Sequence, residues 1–141
     1  MTIDKRPQLA DDQMCFGCGP KNSRGLRLKF DLNKEARRIY TRWTPSKEFQ
    51  GYADIVHGGM IGLVLDELMV NLLWTLQWPA VTADLTIRFK KPAKVGVPLD
   101  CEAWVEDENG RLFLMQAEAK TSDGTVVAAA SAKCVRLEGY E

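Results

Sequence analysis

The feature that most constrains this chain is the run from Val56 to Trp74, VHGGMIGLVLDELMVNLLW. Taken as a helix starting at the glycines, it places Ile61, Leu65, Leu68 and Leu72 in one stripe, and Leu63, Val70, Leu73 and Trp74 cover much of the remaining surface. A helix apolar on nearly every side must be buried. Sixteen or so residues reach only about 25 Å, and Asp66, Glu67 and Asn71 interrupt the run, so the pattern argues for a core helix and against a membrane span. A carboxylate in the middle of such a helix needs either a partner or a site where its charge is useful. Asp66 is therefore the residue to explain.

His57, the single histidine, stands directly before Gly58 and Gly59. Glycines at a helix start expose backbone N–H groups and permit close approach of another molecule. Together with the positive end of the helix dipole, those groups suit a developing negative charge. A carboxylate two turns further on adds a base to a donor cluster, the pair that hydrolysis of an activated carbonyl requires.

The rest of the chain reads as strands and turns. Leu26, Leu28, Phe30 and Leu32 alternate with polar residues and predict a half-buried strand. Arg37 to Trp43 predicts a second, with Ile39, Thr41 and Trp43 on one side and a hairpin through Asn33-Lys34-Glu35. Pro45 to Ile55 predicts a loop that leads into His57. After Pro79, Ala83, Leu85, Ile87 and Phe89 alternate with Asp84, Thr86, Arg88 and Lys90; on this parity Thr82 falls off the apolar face. Leu99 to Val105, Arg111 to Thr121 and Thr125 to Leu137 complete a four-strand antiparallel meander, with Asn109-Gly110 and Ser122-Asp123-Gly124 as turns. A sheet of five to six strands wrapped around one long helix, an α+β architecture, buries such a helix well.

Nineteen Lys and Arg balance nineteen Asp and Glu, so charge gives no argument for nucleic acid or membrane partners. No apolar segment opens the sequence, and a cytoplasmic location is the default expectation. Cys15 and Cys18 make one C-x-x-C, while Cys101 and Cys134 stand apart. A zinc ribbon needs a second such pair. The pair reads as small residues of a tight Gly-rich turn, with half of a zinc site completed by a second subunit as the alternative, and no metal is expected.

His57-Gly58-Gly59 followed by Asp66, with Thr82-Ala83-Asp84 soon after, resembles the hotdog-fold acyl-CoA thioesterases of the PaaI-like, phenylacetate-degradation branch. Cys15-Phe16-Gly17-Cys18-Gly19-Pro20 followed by Gly25-Leu26 is similar to an opening seen in part of that group. The likeness spans about residues 15–136, within a single expected domain of residues 1–141 whose first fourteen form an extension. It implies a hotdog fold and a homodimer or dimer of dimers with active sites at the subunit boundary. It also implies hydrolysis of an acyl-CoA thioester, coenzyme A being part of the substrate and no separate cofactor being needed. Gly59, with Gly58, would hold the carbonyl oxygen; Asp66 would act as general base or as nucleophile. His57 would orient the loop or contact the carbonyl, or serve structure alone. Thr82 lies where this branch holds the carboxylate or its water.

Gln50, Gly51, Val56, Glu67 and Ala83 complete the candidate substrate-binding set, with Arg88, Lys90, Lys91 and Lys94 as a basic patch for the nucleotide phosphates or a charged strand edge. Glu67, about 100° round the helix from Asp66, is a second-choice acid with a salt bridge as its alternative role. Many relatives carry Asn six residues before the His; here Gly51 stands there, beside Gln50. Met60, Met69, Trp74, Trp78, Phe49 and Tyr52 are candidates to line a pocket for a short or aromatic acyl group, or simply core. The competing functional readings are a non-catalytic acyl-CoA binding module, a hotdog hydratase and a plain interaction domain. The fourteen residues before Cys15 are too few for the DNA-binding segment of a regulator, and the Gly-Gly start disfavours the hydratase.

Overall fold

A computed structural model describes residues 9–137; the first eight residues of the expected N-terminal extension lie outside the described residues. The elements run β1 (Asp31–Asn33), β2 (Arg38–Trp43), a 3-10 turn (Lys47–Phe49), α1 (Gly58–Thr75), β3 (Ala80–Phe89), β4 (Leu99–Asn109), β5 (Leu112–Thr121) and β6 (Val126–Arg136). The six strands form one antiparallel sheet in the order β1-β2-β4-β5-β6-β3, and α1 packs against it.

The helix begins where the glycines put it. Leu65, Leu68, Met69, Leu72 and Leu73 are wholly buried, each contributing about 1.5–3 kcal/mol relative to exposure. Opposite them lie Leu99, Ala103, Phe113, Met115 and Ala119, with the small residues Ala128, Ala130, Ala132 and Cys134 of β6 admitting the helix closely. By length and composition α1 is long and apolar enough to cross a bilayer, and its buried residues pack on the sheet.

Three sequence expectations change. The alternation from Leu26 to Leu32 does not make a strand of that length: only Asp31–Asn33 joins the ladder. Arg27 has φ of 50°, and the amides of Leu26 and Leu28 donate to Phe16 and Gly17 carbonyls (2.9 and 3.0 Å), so this segment pairs with the N-terminal loop instead. The four-strand meander is a three-strand one, β4-β5-β6. β3 crosses over to pair with β6, and β4 takes β2 on its other side. Pro45 to Ile55 is a loop as expected, with one 3-10 turn in it.

The third change concerns Thr82. In the β3–β6 pair Thr82 opposes Cys134 and Asp84 opposes Lys133, leaving Ala83 as the extra residue of a β-bulge. A bulge resets side-chain parity. Ile87 and Phe89 lie against Gly62 and Gly58 of α1, and Thr82, of opposite nominal parity, reaches Asp66 on the same face.

The expected turns hold. Gly110 and Gly124 have φ of 61° and 89°, in the left-handed region that favours glycine. Ile39, Thr41 and Trp43 all face the core.

Candidate active site

Two groups of residues stand out along α1. At its start, the His57 amide donates to the Phe49 carbonyl (2.8 Å) and the Val56 amide to that of Ala93 (2.8 Å), which fixes the loop before the glycines. His57 is the N-cap, and its Nδ1 accepts from the Gly59 amide at 2.9 Å. That ring nitrogen therefore carries no proton. The bond engages the Gly59 N–H within the chain. Among the described residues the Gly58 N–H has no such partner, so Gly58 is the better placed of the two to meet an incoming oxygen.

A side chain at Gly58 would lie 2.9 Å from Cζ of Phe89, so the glycine admits the ring to the helix start. One groove of about 340 Å³ runs past Gly58, Ile61, Phe89, Lys90 and Lys91. A second, of about 290 Å³, is lined by Glu48, Phe49, Gln50, His57, Gly59 and Met60.

Midway along α1, Asp66 is half-buried. Thr82 Oγ1 donates to its Oδ1 at 2.7 Å, and Cys134 Sγ lies 4.0 Å from the same hydroxyl. Burial pushes the Asp66 carboxyl above its usual value; the Thr82 hydrogen bond opposes this, and the Glu67 charge adds to it. An acid so placed is only partly screened by solvent and has one hydroxyl partner on the neighbouring strand.

The remaining expected residues divide. Gln50 spends its Oε1 on the Asp54 amide (3.1 Å) while lining the second groove. Gly51 is exposed against His57. Val56 is buried and Ala83 is the bulge residue. The basic patch is shared between two hollows. Lys90 and Lys91 border the groove beside Gly58, whereas Arg88 joins Thr86, Gln116 and Ser131 in a different hollow that Lys90 also reaches. Lys94 bridges to Ile55 at the loop. Of the pocket candidates, Met69 is core and Trp78 stacks on Phe113 at 5.3 Å. The Trp74 indole donates to the Ala80 carbonyl (2.9 Å), and Tyr52 is 87% exposed. Phe49 and Met60 alone among them line the second groove.

Glu67 makes no salt bridge among the described residues. Its Oε1 accepts from the Cys15 thiol (3.2 Å) and its Oε2 from Asn71 Nδ2 (3.0 Å). Burial, then the Glu67 charge, pushes the Cys18 thiol far above its ordinary value. Sequence gave no sign of this contact, because it joins residues 52 positions apart.

A six-stranded antiparallel sheet around one buried helix, with His-Gly-Gly at the helix start and an acid two turns on, defines a hotdog-fold domain of the thioesterase type. The sequence profile of the thioesterase superfamily matches residues 53–128, more than half of the chain, and the chain belongs to that family.

Acyl-coenzyme A thioesterase THEM4 of Xenopus laevis is 24% identical over 103 residues, which cover 73% of this chain and 46% of that protein. The chain thus spans about half the length of the curated relative it matches. A phenylacetic acid degradation-related protein of Ralstonia eutropha JMP134 is 25% identical, with a TM-score of 0.71 over 78% of this chain and 85% of its own. A crystal structure of another thioesterase superfamily protein superposes with a TM-score of 0.82 at 21% identity, covering 93% of this chain and 70% of its own. The hotdog fold and the PaaI-like resemblance are thereby borne out.

Proposed function

We propose that this protein hydrolyses an acyl-CoA thioester, with Gly58 as the carbonyl-binding donor and Asp66 as the reacting carboxylate. The observation that carries this is the half-buried Asp66 held by Thr82 on the same helix whose first glycine lines a groove. As the thioester carbonyl becomes tetrahedral, the Gly58 N–H and the helix dipole stabilise its oxyanion; one such donor is worth about a hundredfold or more in rate. Asp66 either takes a proton from the water that displaces the coenzyme A thiolate, or attacks the carbonyl itself and expels that thiolate to give an anhydride that water then opens to the free acid and the carboxylate. Thr82 orients the carboxylate and opposes the rise that burial gives its pKa. His57 holds Gly59 and so fixes the peptide planes of the helix start.

Gly58 and Asp66 of one chain lie eight residues apart, about 12 Å along the axis. One carbonyl cannot touch both. The working site therefore pairs one subunit's Gly58 with the Asp66 of a second. The edge strand β3 suits that association: Val81, Leu85 and Phe89 are 39, 38 and 57% exposed along it. An exposed apolar edge strand pairs readily with another. The homodimer, alone or doubled into a tetramer, is accordingly part of the proposal.

Lys90 and Lys91 beside the groove suit the phosphates of coenzyme A. Phe49 and Met60 across the helix start suit a short or aromatic acyl group. The substrate is then a water-soluble ester, in keeping with a cytoplasmic setting.

Thiol release from short, aromatic and long acyl-CoAs, by wild type and Asp66→Ala, tests this. Turnover on some member that collapses in the mutant supports hydrolysis. Tight ester binding by both proteins with no turnover on any member indicates an acyl-CoA binding module instead.

A further inference from the structure

The contact between the N-terminal loop and α1 lies outside the hydrolytic machinery. The Sγ atoms of Cys15 and Cys18 and a carboxylate oxygen of Glu67 all lie within 4.8 Å of one another. The loop that brings them there is built for close quarters. The Gly19 amide donates to the Cys15 carbonyl (2.8 Å), Lys21 to Gln13 (3.1 Å), and the Asn22 side chain to Met14 (3.1 Å). A Cβ at Gly19 would meet the Gln13 carbonyl at 2.5 Å, and one at Gly17 would collide with the Glu67 side chain. Asn71 holds one oxygen of Glu67 and leaves the other toward Cys15. No ammonium or guanidinium takes part in the cluster among the described residues.

Two sulfurs and a carboxylate oxygen in this spacing are a donor set. In a tetrahedral zinc site, with Zn–S near 2.3 Å and Zn–O near 2.0–2.2 Å, the S···O edge is about 3.5 Å and the S···S edge about 3.8 Å. The Cys15–Glu67 separation of 3.2 Å needs to open only by a few tenths of an ångström. Thiolate donors select zinc-class cations over magnesium or calcium. Three protein ligands leave the fourth position to water.

We propose that Cys15, Cys18 and Glu67 form a three-ligand site for a zinc-class divalent cation that ties the N-terminal loop to α1. Glu67 supplies, from within the chain, the ligand that a lone C-x-x-C lacks. The Asn71 hydrogen bond orients it, as outer partners of metal ligands do. Binding releases the thiol protons, so affinity rises with pH. The bridge joins residues 52 positions apart and stabilises the folded chain against the unfolded one.

The test uses the full chain, stripped with chelator under reducing conditions and titrated with cobalt(II), then with zinc. The expected result is one equivalent per chain, a thiolate-to-cobalt charge-transfer band in the near ultraviolet, displacement of that band by zinc, and a zinc-dependent rise in thermal midpoint. Cys15→Ser/Cys18→Ser abolishes the band and the thermal shift while retaining the wild-type circular dichroism. Glu67→Gln weakens cobalt binding about tenfold or more. The proposal is overturned by fully reduced wild-type protein that shows no band at saturating cobalt. It is equally overturned by a band that survives the double serine variant, or by a Glu67→Gln protein that binds as wild type does. None of these readouts depends on thioester turnover.

Discussion

Gly58→Ala separates the chemistry of the helix start from its stability. A methyl group there meets Phe89 Cζ at 2.9 Å and Cε1 at 3.0 Å. Overpacking of this kind costs about 1–3 kcal/mol in a core. The Phe89 ring is 57% exposed and can yield toward solvent, which sets the cost near the lower end, about 1 kcal/mol. Replacing glycine by alanine in a helix returns up to about 1 kcal/mol. The two effects nearly cancel, so the thermal midpoint should move by no more than about 2–4 °C.

Activity should not share in that cancellation. The part of the collision that the yielding ring does not relieve is taken up by the peptide plane that carries the Gly58 N–H, and a misplaced oxyanion donor costs about 10²–10³ in rate. Phe89→Ala removes the obstacle, so the double variant should recover about tenfold or more of the activity that Gly58→Ala loses. The assay is kcat/KM for thiol release from the best acyl-CoA, with thermal melts of the four proteins of the cycle. Wild-type kcat/KM in Gly58→Ala would refute the role given to this N–H. A loss that Phe89→Ala leaves untouched would refute the steric route to it.

Three further outcomes are expected. Thr82→Val removes the hydrogen bond that lowers the Asp66 pKa, so the acidic limb of the pH–rate profile moves to higher pH, while Thr82→Ser restores it. Asp66 is raised above its unfolded value of 3.8 chiefly by burial. The folded state therefore binds the proton more tightly, and stability falls as pH rises from the unfolded value through the raised folded one. Asp66→Asn should thus melt higher than wild type at neutral pH and lose that advantage in acid, as thermal melts across pH will show. Leu68→Ala, at a wholly buried position of α1, should cost about 2–5 kcal/mol in denaturant unfolding.

The helix was legible because its signals agree: glycines at the start, an apolar surface all round and a polar residue only where something waits for it. Asp66 stood out for the same reason, as a charge whose placement local rules do not explain. The turns at Gly110 and Gly124 were legible from Asn-Gly and Asp-Gly alone. Thr82 was read onto the wrong face because strand parity assumes an unbroken ladder, and the bulge at Ala83 is invisible to a two-residue period. Pairing of β3 with β6 depends on where the chain goes after Phe89, which alternation does not encode. The preference for Gly58 over Gly59 turns on one side chain bending back to its own helix. The Cys15 contact of Glu67 was not legible because it joins residues 52 positions apart.

The most direct test of the central claim is thiol release from the acyl-CoA panel by wild type and Asp66→Ala, with both proteins shown to be folded by thermal melt. The account predicts turnover of a short or aromatic ester by wild type and a loss of about 10²–10⁴ or more in the variant, the scale of a positioned acid–base group. Turnover that survives Asp66→Ala would contradict it, leaving the fold in place and the carboxylate without its role.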